Sequence, residues 1–363
     1  YGDLQLHGYP WSTYSVGFLH LFFYTVGAIC SYLSLVFLLP PIPHHPAVLA
    51  CCGILGWSTY CLWMIGHECY HFTMATSQFL NTFIGFLSMD CLVNSQETWK
   101  VTHTLHHRHT LASDPQQDRQ RLFGSCILIE TANIVYTILT YWASDVEFFL
   151  QNPSFSKAAA LVIRFSLYSF LPANISLSFV FFLAMWANYA ALLTHAIPVF
   201  PKEEQASTST TTTAGAAPTK HELVVLHQLR TSIDIFPQSP LCLFLFGGLN
   251  CHCVHHLLPS LPRSLHSSGT RNIAKLYPEE YRHVENVPEL MALFILRSEV
   301  FVTPVLIEDL PRIVRERGLL EFLKKISMDV GSLFVMAAVV YFAPPISIFK
   351  ALVAGGALLE VVE

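Results

Sequence analysis

Charged residues are scarce in this chain. Only 12% of its 363 residues are Asp, Glu, Lys or Arg, while 53% are hydrophobic. A soluble globular protein carries about 25% charged residues. From Trp11 to Gly66 there is no charged residue at all. Because one bilayer crossing needs about 20 apolar residues, this stretch can supply two, and the charge deficit predicts a protein embedded in lipid.

The chain also lacks a block of basic residues and a disulfide spacing pattern, and each absence argues against a class of protein. The net charge is −5 and the basic residues form no long block, which argues against nucleic acid as a partner. The ten cysteines are scattered, mostly within apolar stretches, and do not form the spacing pattern of a disulfide framework. We interpret them as reduced packing residues. The apolar N-terminal stretch is too long for the core of a signal peptide.

Histidine, in contrast, is abundant, and eight of the 18 histidines fall into three short clusters. The clusters are His67-Glu68-Cys69-Tyr70-His71, His103-Thr104-Leu105-His106-His107 and His252-Cys253-Val254-His255-His256. Positions i, i+3 and i+4 share one face of a helix. Each cluster can therefore direct two or three imidazoles at one point, and neutral imidazole is a common metal ligand.

The sequence predicts a single all-α integral membrane domain over residues 1–363, with about four spans. Two apolar stretches near the N-terminus and a third before the last histidine cluster are predicted spans, at about 14–39, 47–65 and 173–197. Because the three clusters must share one membrane face, one further stretch crosses, either 158–171 or 122–142. Each of these carries a charge, Arg164 or Glu130, which is costly when it faces lipid.

The polar segments are predicted to form a helical cytosolic cap that holds the metal site. They cover about 94–121 and 201–329, whereas 78–93 is predicted to be interfacial and 330–357 is a separate apolar C-terminal segment. The uncharged turn 40–46 is expected on the opposite membrane face.

Eight histidines exceed what one metal can use. Zinc takes about four ligands, so two metals with four or five imidazoles each fit the number better. Imidazole suits zinc, copper, iron and nickel alike, and the spacing alone does not choose among these metals.

Two regions of the chain resemble membrane fatty acid desaturases. The segment from Gly66-His67-Glu68-Cys69, through Leu80-Asn81, Gly85 and Trp99, to His106-His107 resembles the first two histidine boxes of methyl-end acyl-lipid desaturases. The segment from Gly247-Gly248-Leu249-Asn250 to His255-His256-Leu257-Leu258-Pro259, with Pro262-Arg263, resembles the third box of front-end desaturases. Those enzymes often have Gln where this chain has His252. The resemblance covers most of residues 11–285.

The resemblance implies two irons that activate dioxygen and remove two hydrogens from adjacent methylenes of a lipid acyl chain. The substrate would be an acyl-CoA or an acyl-lipid in a bent apolar tunnel. The chain has no H-P-G-G haem motif, so electrons are expected from a separate protein or from a segment that precedes Tyr1. Cytochrome b5 at the endoplasmic reticulum and ferredoxin in a plastid membrane are the two donors that the family uses.

The resemblance also implies an additional ligand at the end of the 173–197 span. His195 occupies this place and is the ninth candidate ligand, beside His67, His71, His103, His106, His107, His252, His255 and His256. The companion asparagine that stearoyl-CoA desaturase has one turn earlier is replaced by Ala191, and Asn188 lies about two turns back.

Four rival interpretations use the same residues. A hydroxylase or ketolase on this scaffold would have the same histidines. Residues 67–71 also read H-E-x-x-H, the zinc protease motif in which Glu68 would be the general base, but this leaves two clusters unexplained. A soluble-type di-iron bundle uses paired E-x-x-H motifs, and the second match here, Glu280 to His283, lies in a polar stretch. A metal transporter would carry its ligands in mid-span.

Overall fold

The computed structural model describes residues 9–42, 45–109, 138, 141–195, 199–200, 220–296, 305–306 and the single positions 315, 320, 323, 324 and 327. The described part is mostly helical. In chain order, the helices are α1 (Ser15–Leu33), α2 (Pro46–Tyr70), α3 (Gln78–Gly85), α4 (Gln96–His109), α5 (141–151), α6 (Phe155–Ser169), α7 (Ala173–His195), α8 (Lys220–Thr231), α9 (Pro240–Leu245), α10 (His252–Leu257), α11 (His266–Leu276) and α12 (Val287–Leu296).

Among the described residues, two helices are long and apolar enough to cross a membrane. The first runs over Trp11–Leu38, where α1 is preceded by a 3-10 turn and followed by a π turn, and the second is α2. They contain the predicted span 47–65 and all of the predicted span 14–39 except Leu39, which is extended. Helix α2 begins at Pro46, with the His45 side chain accepting a hydrogen bond from the Ala47 N–H. It continues to Tyr70, so His67 lies inside the helix and not after it.

Helix α2 is the centre of the apolar core, because it packs against both α1 and α7. Gly56 permits the close approach of α7, since a Cβ at this position would lie 2.7 Å from the backbone nitrogen of Leu183. Helix α7 matches the start of the predicted 173–197 span and ends at His195.

The charge on Arg164 does not face lipid. Its side chain is buried, and Nη1 lies 2.7 Å from Oδ2 of Asp145, a residue of α5.

Helix α6 has 15 residues and is about 22 Å long, shorter than the roughly 30 Å hydrocarbon core of a bilayer. Most of the alternative span, 122–142, lies outside the described residues, as do 201–219 and the apolar segment 330–357. The fourth span stays a prediction.

Helix α3 and the following π turn Phe86–Asp90 present an apolar stripe to the outside. Phe79, Phe83 and Leu87 are exposed and lie four residues apart, whereas Asn81 and Ile84 face inwards. This amphipathic pattern is typical of a helix that lies in the membrane interface, and we expect the predicted interfacial position of 78–93 to hold.

The described residues include four short strands, so the fold is mostly helical and the prediction of an all-α fold is wrong in this detail. Strand β2 (Asp234–Ile235) pairs in parallel with β3 (His283–Val284), and β1 (Val199–Phe200) with β4 (Val305–Leu306). Each strand has two residues, which is too short to show the alternating pattern by which a strand is recognised in a sequence.

The predicted topology can be tested with residues that the structure leaves exposed. Lys100→Cys and Leu276→Cys should react with an impermeant maleimide from one side of sealed membranes, and Ile42→Cys from the other, because α4 and the cap share the histidine site. All three native side chains are exposed. Labelling of positions 100 and 276 from opposite sides would contradict the predicted arrangement.

Candidate metal centre

Five of the predicted histidines converge at the end of α2. Their candidate ligand atoms all lie within 4.8 Å of one another, and the group comprises His67, His71, His103, His107 and His255. His103 is central. Its Nε2 lies 2.7 Å from Nε2 of His67, 3.2 Å from Nε2 of His71 and 2.9 Å from Nε2 of His107. We call this set the five-histidine group.

The other three predicted histidines of the clusters, His106, His252 and His256, form a second group within the same distance limit. We call it the three-histidine group. The groups are adjacent, because His106 and His107 are consecutive on α4, and His255 and His256 on α10. The rings of His107 and His256 stack with their centroids 4.5 Å apart. The structure thus brings all eight cluster histidines together, divided into five and three.

The donor set of the five-histidine group fits a metal ion. A neutral imidazole has one N–H and one lone pair, so protons cannot bridge every contact that His103 makes with three other Nε2 atoms. Ligands bound at about 2.1 Å in a cis octahedral arrangement lie about 3 Å apart, close to the spacing observed. Within the described part of the chain, Nδ1 of His67 and of His103 are buried without a hydrogen-bond partner.

Burial favours the neutral form of three of these imidazoles, His71, His103 and His255. Desolvation, and then the neighbouring histidines, lower the pKa of His103 and of His255 well below its ordinary value. Desolvation lowers the pKa of His71 to about 3. A neutral ring has a lone pair to offer a metal, so the buried site favours ligation over protonation.

The second histidine cluster is oriented by residues from three helices. The Trp99 ring stacks on the His103 ring, with centroids 4.9 Å apart. At the start of α4, the Asp145 carboxylate accepts hydrogen bonds from the Ser95 N–H at 2.8 Å and from the Thr98 hydroxyl at 2.5 Å. Arg164 neutralises this carboxylate. Helices α5 and α6 therefore hold the N-terminal end of α4, the helix that carries the three histidines of the second cluster.

The third cluster is held by another buried carboxylate. Oδ1 of Asp234 accepts a hydrogen bond from the Cys253 N–H at 2.7 Å, and Oδ2 accepts one from the Tyr281 hydroxyl at 2.7 Å. Asp234 thereby satisfies a backbone donor in the first turn of α10, where few other partners exist. Burial raises the pKa of Asp234 to about 7.

Glu68 forms a buried ion pair. Its Oε1 accepts a hydrogen bond from Nε of Arg263 at 2.7 Å, and Arg263 also donates to the Gly247 carbonyl at 2.7 Å. Gly248 is required beside this pair, because its φ is 91° and a Cβ would lie 3.0 Å from Oε1 of Glu68. Arg263 thus links Glu68 of the first cluster to Gly247, five residues before the third cluster.

The remaining sequence-predicted site residue is His195. The backbone of His195 ends α7, but its side chain lies outside the described part of the structure, as do those of Asn188 and His109. Its role as a ninth ligand stays a prediction. Sequence reasoning missed Asp145, Asp234 and the buried amide of Gln228, because they lie far along the chain from the clusters that they contact.

A cavity of about 380 Å³ lies among α1, α2, α6 and α7. Its lining is almost entirely apolar and includes Leu55, Thr59 and Leu62 of α2. Leu62 precedes His67 by about 7.5 Å along the helix axis. Ile29 and Leu33 also line the cavity and are exposed on the outer face of the first apolar helix, so the cavity reaches that surface.

The comparisons agree with the resemblance seen in the sequence. A family model described as fatty acid desaturase matches residues 43–287. An sn-1 acyl-lipid omega-3 desaturase (ferredoxin) of Synechocystis is 33% identical over 89 residues, which is 24% of each chain. A Delta(12) fatty acid dehydrogenase of Crepis alpina is 35% identical over 82 residues, 20% of this chain and 21% of that protein.

These alignments cover about a quarter or less of those two relatives. A fatty acid conjugase of Calendula officinalis aligns more widely, at 22% identity over 259 residues, which is 64% of this chain and 69% of that protein.

Proposed function

Because this chain belongs to the fatty acid desaturase family, we propose that it is an oxygen-dependent fatty acyl desaturase that introduces a double bond into a lipid acyl chain. The observation that carries the proposal is the pair of adjacent, buried histidine groups, five and three. The eight histidines would hold two irons, with His195 as a ninth ligand. Imidazole suits several metals, so the choice of iron is part of the proposal and is supported by the family, not by the histidines alone.

When bound, two irons would supply the oxidising power that removal of hydrogen from an unactivated methylene requires, which no acid or base side chain can supply. The residues of this chain do the rest. The Asp145–Arg164 pair and Asp234 hold the ligand-bearing helices in register. The Arg263–Glu68 pair joins the first cluster to the third, and the buried walls keep water away from the imidazoles.

The cavity supports a lipid substrate. A water molecule takes about 30 Å³ in the liquid and a methylene group takes about as much, so 380 Å³ accommodates about a dozen methylenes. We propose that part of the acyl chain lies there, and that the chain enters from the lipid side of an integral membrane protein. Acyl-CoA and acyl-lipid are both compatible with this arrangement.

Filling the cavity should block the substrate without removing metal. Thr59→Trp is expected to lower product yield at least about tenfold, because the indole occupies the space of several methylenes, while metal content stays unchanged. Ile54→Trp on the exposed face of α2 is the control and should keep normal yield. Lipid analysis of a host that expresses each variant, with elemental analysis of the purified protein, measures both. Equal yields from the two variants would contradict an acyl site here.

The family supports a proposal for the electron donor and the membrane. The relative in Synechocystis is described with ferredoxin, and we propose ferredoxin or cytochrome b5 for this chain. An endoplasmic reticulum location goes with cytochrome b5, and a plastid location with ferredoxin. Reconstitution with each purified donor in turn distinguishes them.

The central experiment combines metal and product analysis. The purified protein should contain about two irons per chain, because eight or nine imidazoles fit two sites better than one. A host that expresses it should accumulate acyl chains with one new double bond. One zinc with no iron would favour the protease interpretation of residues 67–71, and a hydroxylated or oxidised chain would favour the hydroxylase or ketolase.

The Calendula relative favours conjugation as a second candidate reaction, since that alignment covers most of the chain. A conjugase product has conjugated double bonds, which absorb ultraviolet light at longer wavelengths than an isolated double bond does. The absorption spectrum of the extracted lipids therefore separates the two outcomes.

A further inference from the structure

Gln228 of α8 lies buried between the two histidine groups. Its Nε2 donates a hydrogen bond to the backbone carbonyl of His107. Its Oε1 lies 2.7 Å from Nδ1 of His256. The amide therefore contacts the backbone of a residue in the five-histidine group and the ring of a residue in the three-histidine group, although it lies outside all three histidine clusters.

The partners of Gln228 fix the direction of both hydrogen bonds. A backbone carbonyl can only accept, so the amide NH₂ must face His107 and the amide oxygen must face His256. An amide oxygen can only accept as well. The proton of the neutral His256 ring is therefore on Nδ1, and the lone pair is on Nε2.

We propose that Gln228 is a positioning residue that sets the tautomer and ring orientation of His256, so that Nε2 binds the metal of the three-histidine group. This inference rests on the proposed function, because it requires a metal at that group. Partners of this kind typically change metal affinity by about 10–100-fold when they are removed. The effect should be concentrated here, because the three-histidine group has fewer cluster ligands than the five-histidine group.

A purely structural role of Gln228 and a positioning role predict opposite rankings of two substitutions. Gln228→Met keeps the length of the side chain and fills the space, but it removes the acceptor. Gln228→Glu introduces a buried charge, which destabilises the fold because the carboxylate loses its hydration. It keeps an acceptor for the His256 N–H. If Gln228 only fills space, the Met variant should bind metal more tightly than the Glu variant. If Gln228 positions His256, the Glu variant should bind metal more tightly than the Met variant.

The test is a metal titration of the purified full chain with Fe(II), and with Co(II) as a spectroscopic probe, against a competing chelator. We expect two sites in the wild type. Gln228→Met should weaken one of them by about 10–100-fold and leave the other unchanged, and Gln228→Glu should recover part of the loss. Gln238→Met is the control, since that amide is exposed and its hydrogen-bond partners among the described residues are Ser267, Thr270 and Arg271.

The outcomes separate the two proposals. Two sites in Gln228→Met with wild-type affinities, or weaker binding in Gln228→Glu than in Gln228→Met, would overturn the positioning role and leave the di-iron assignment intact. A wild-type chain that binds no second metal would instead overturn the proposed function, and the inference with it.

Discussion

Replacement of His103 by Ala should abolish desaturation and release metal. His103 Nε2 is within 3.2 Å of Nε2 atoms on three other histidines, so the substitution removes the central histidine of the five-histidine group, which we propose to be a metal ligand. Loss of a partner outside the ligand set already costs about 10–100-fold in affinity or activity, and we expect loss of this ligand to exceed 100-fold. Iron per chain and the double-bond content of host lipids are the two measurements.

The matched control is His227→Gln. This histidine is on the neighbouring helix α8 and is exposed, so iron content and product should stay normal. His107→Ala, His252→Ala and His256→Ala should behave like His103→Ala, since each removes a member of one of the two groups. Normal product from His103→Ala would remove the five-histidine group from the reaction.

Loss of Arg263 should be strongly destabilising, because Arg263 and Glu68 form a buried ion pair. Arg263→Met would leave the Glu68 carboxylate buried without its cation, which lies 2.6 Å away at Nη2. Removing one partner of a buried ion pair costs about 3–5 kcal/mol. We therefore expect a large fall in the melting temperature of the detergent-solubilised protein. The double variant Glu68→Gln/Arg263→Met should recover part of the fall, because it removes both charges.

A less buried ion pair provides the control for this prediction. Nζ of Lys157 lies 3.0 Å from Oε2 of Glu97, and the two side chains are 21% and 57% exposed. Exposed pairs contribute about 0–1 kcal/mol, so Lys157→Met should barely change the melting temperature. Equal falls in the melting temperature of Lys157→Met and Arg263→Met would contradict the expectation that the buried Arg263–Glu68 pair contributes more to stability.

Glu68→Gln separates the two readings of the first cluster. In a desaturase the amide keeps an oxygen for Arg263, and activity should fall less than in the histidine variants. In a zinc protease Glu68 is the base, and activity should vanish. Loss of activity in Glu68→Gln, together with normal activity in His252→Ala and His256→Ala, would contradict the desaturase assignment.

The sequence by itself determined the features that depend on local spacing and local solvation. The histidines of each cluster share one face because helical periodicity is a property of neighbouring residues. The first two apolar helices could be predicted from an uncharged stretch, because a residue's cost in lipid depends on its own chemistry. The order of the clusters and the residues around them also sufficed to recognise the family, which the match over residues 43–287 confirmed.

Only the tertiary structure decided how the histidines are divided and what holds them. The five-histidine group joins His67 to His255, and the three-histidine group joins His106 to His252. The number and order of the histidines in the sequence are equally compatible with a division into four and four. The partners of Arg164, Glu68 and His256 are likewise distant in sequence. Hydrogen bonds and ion pairs form between groups that packing brings within about 3 Å. A local sequence pattern does not predict which distant residues will be in contact.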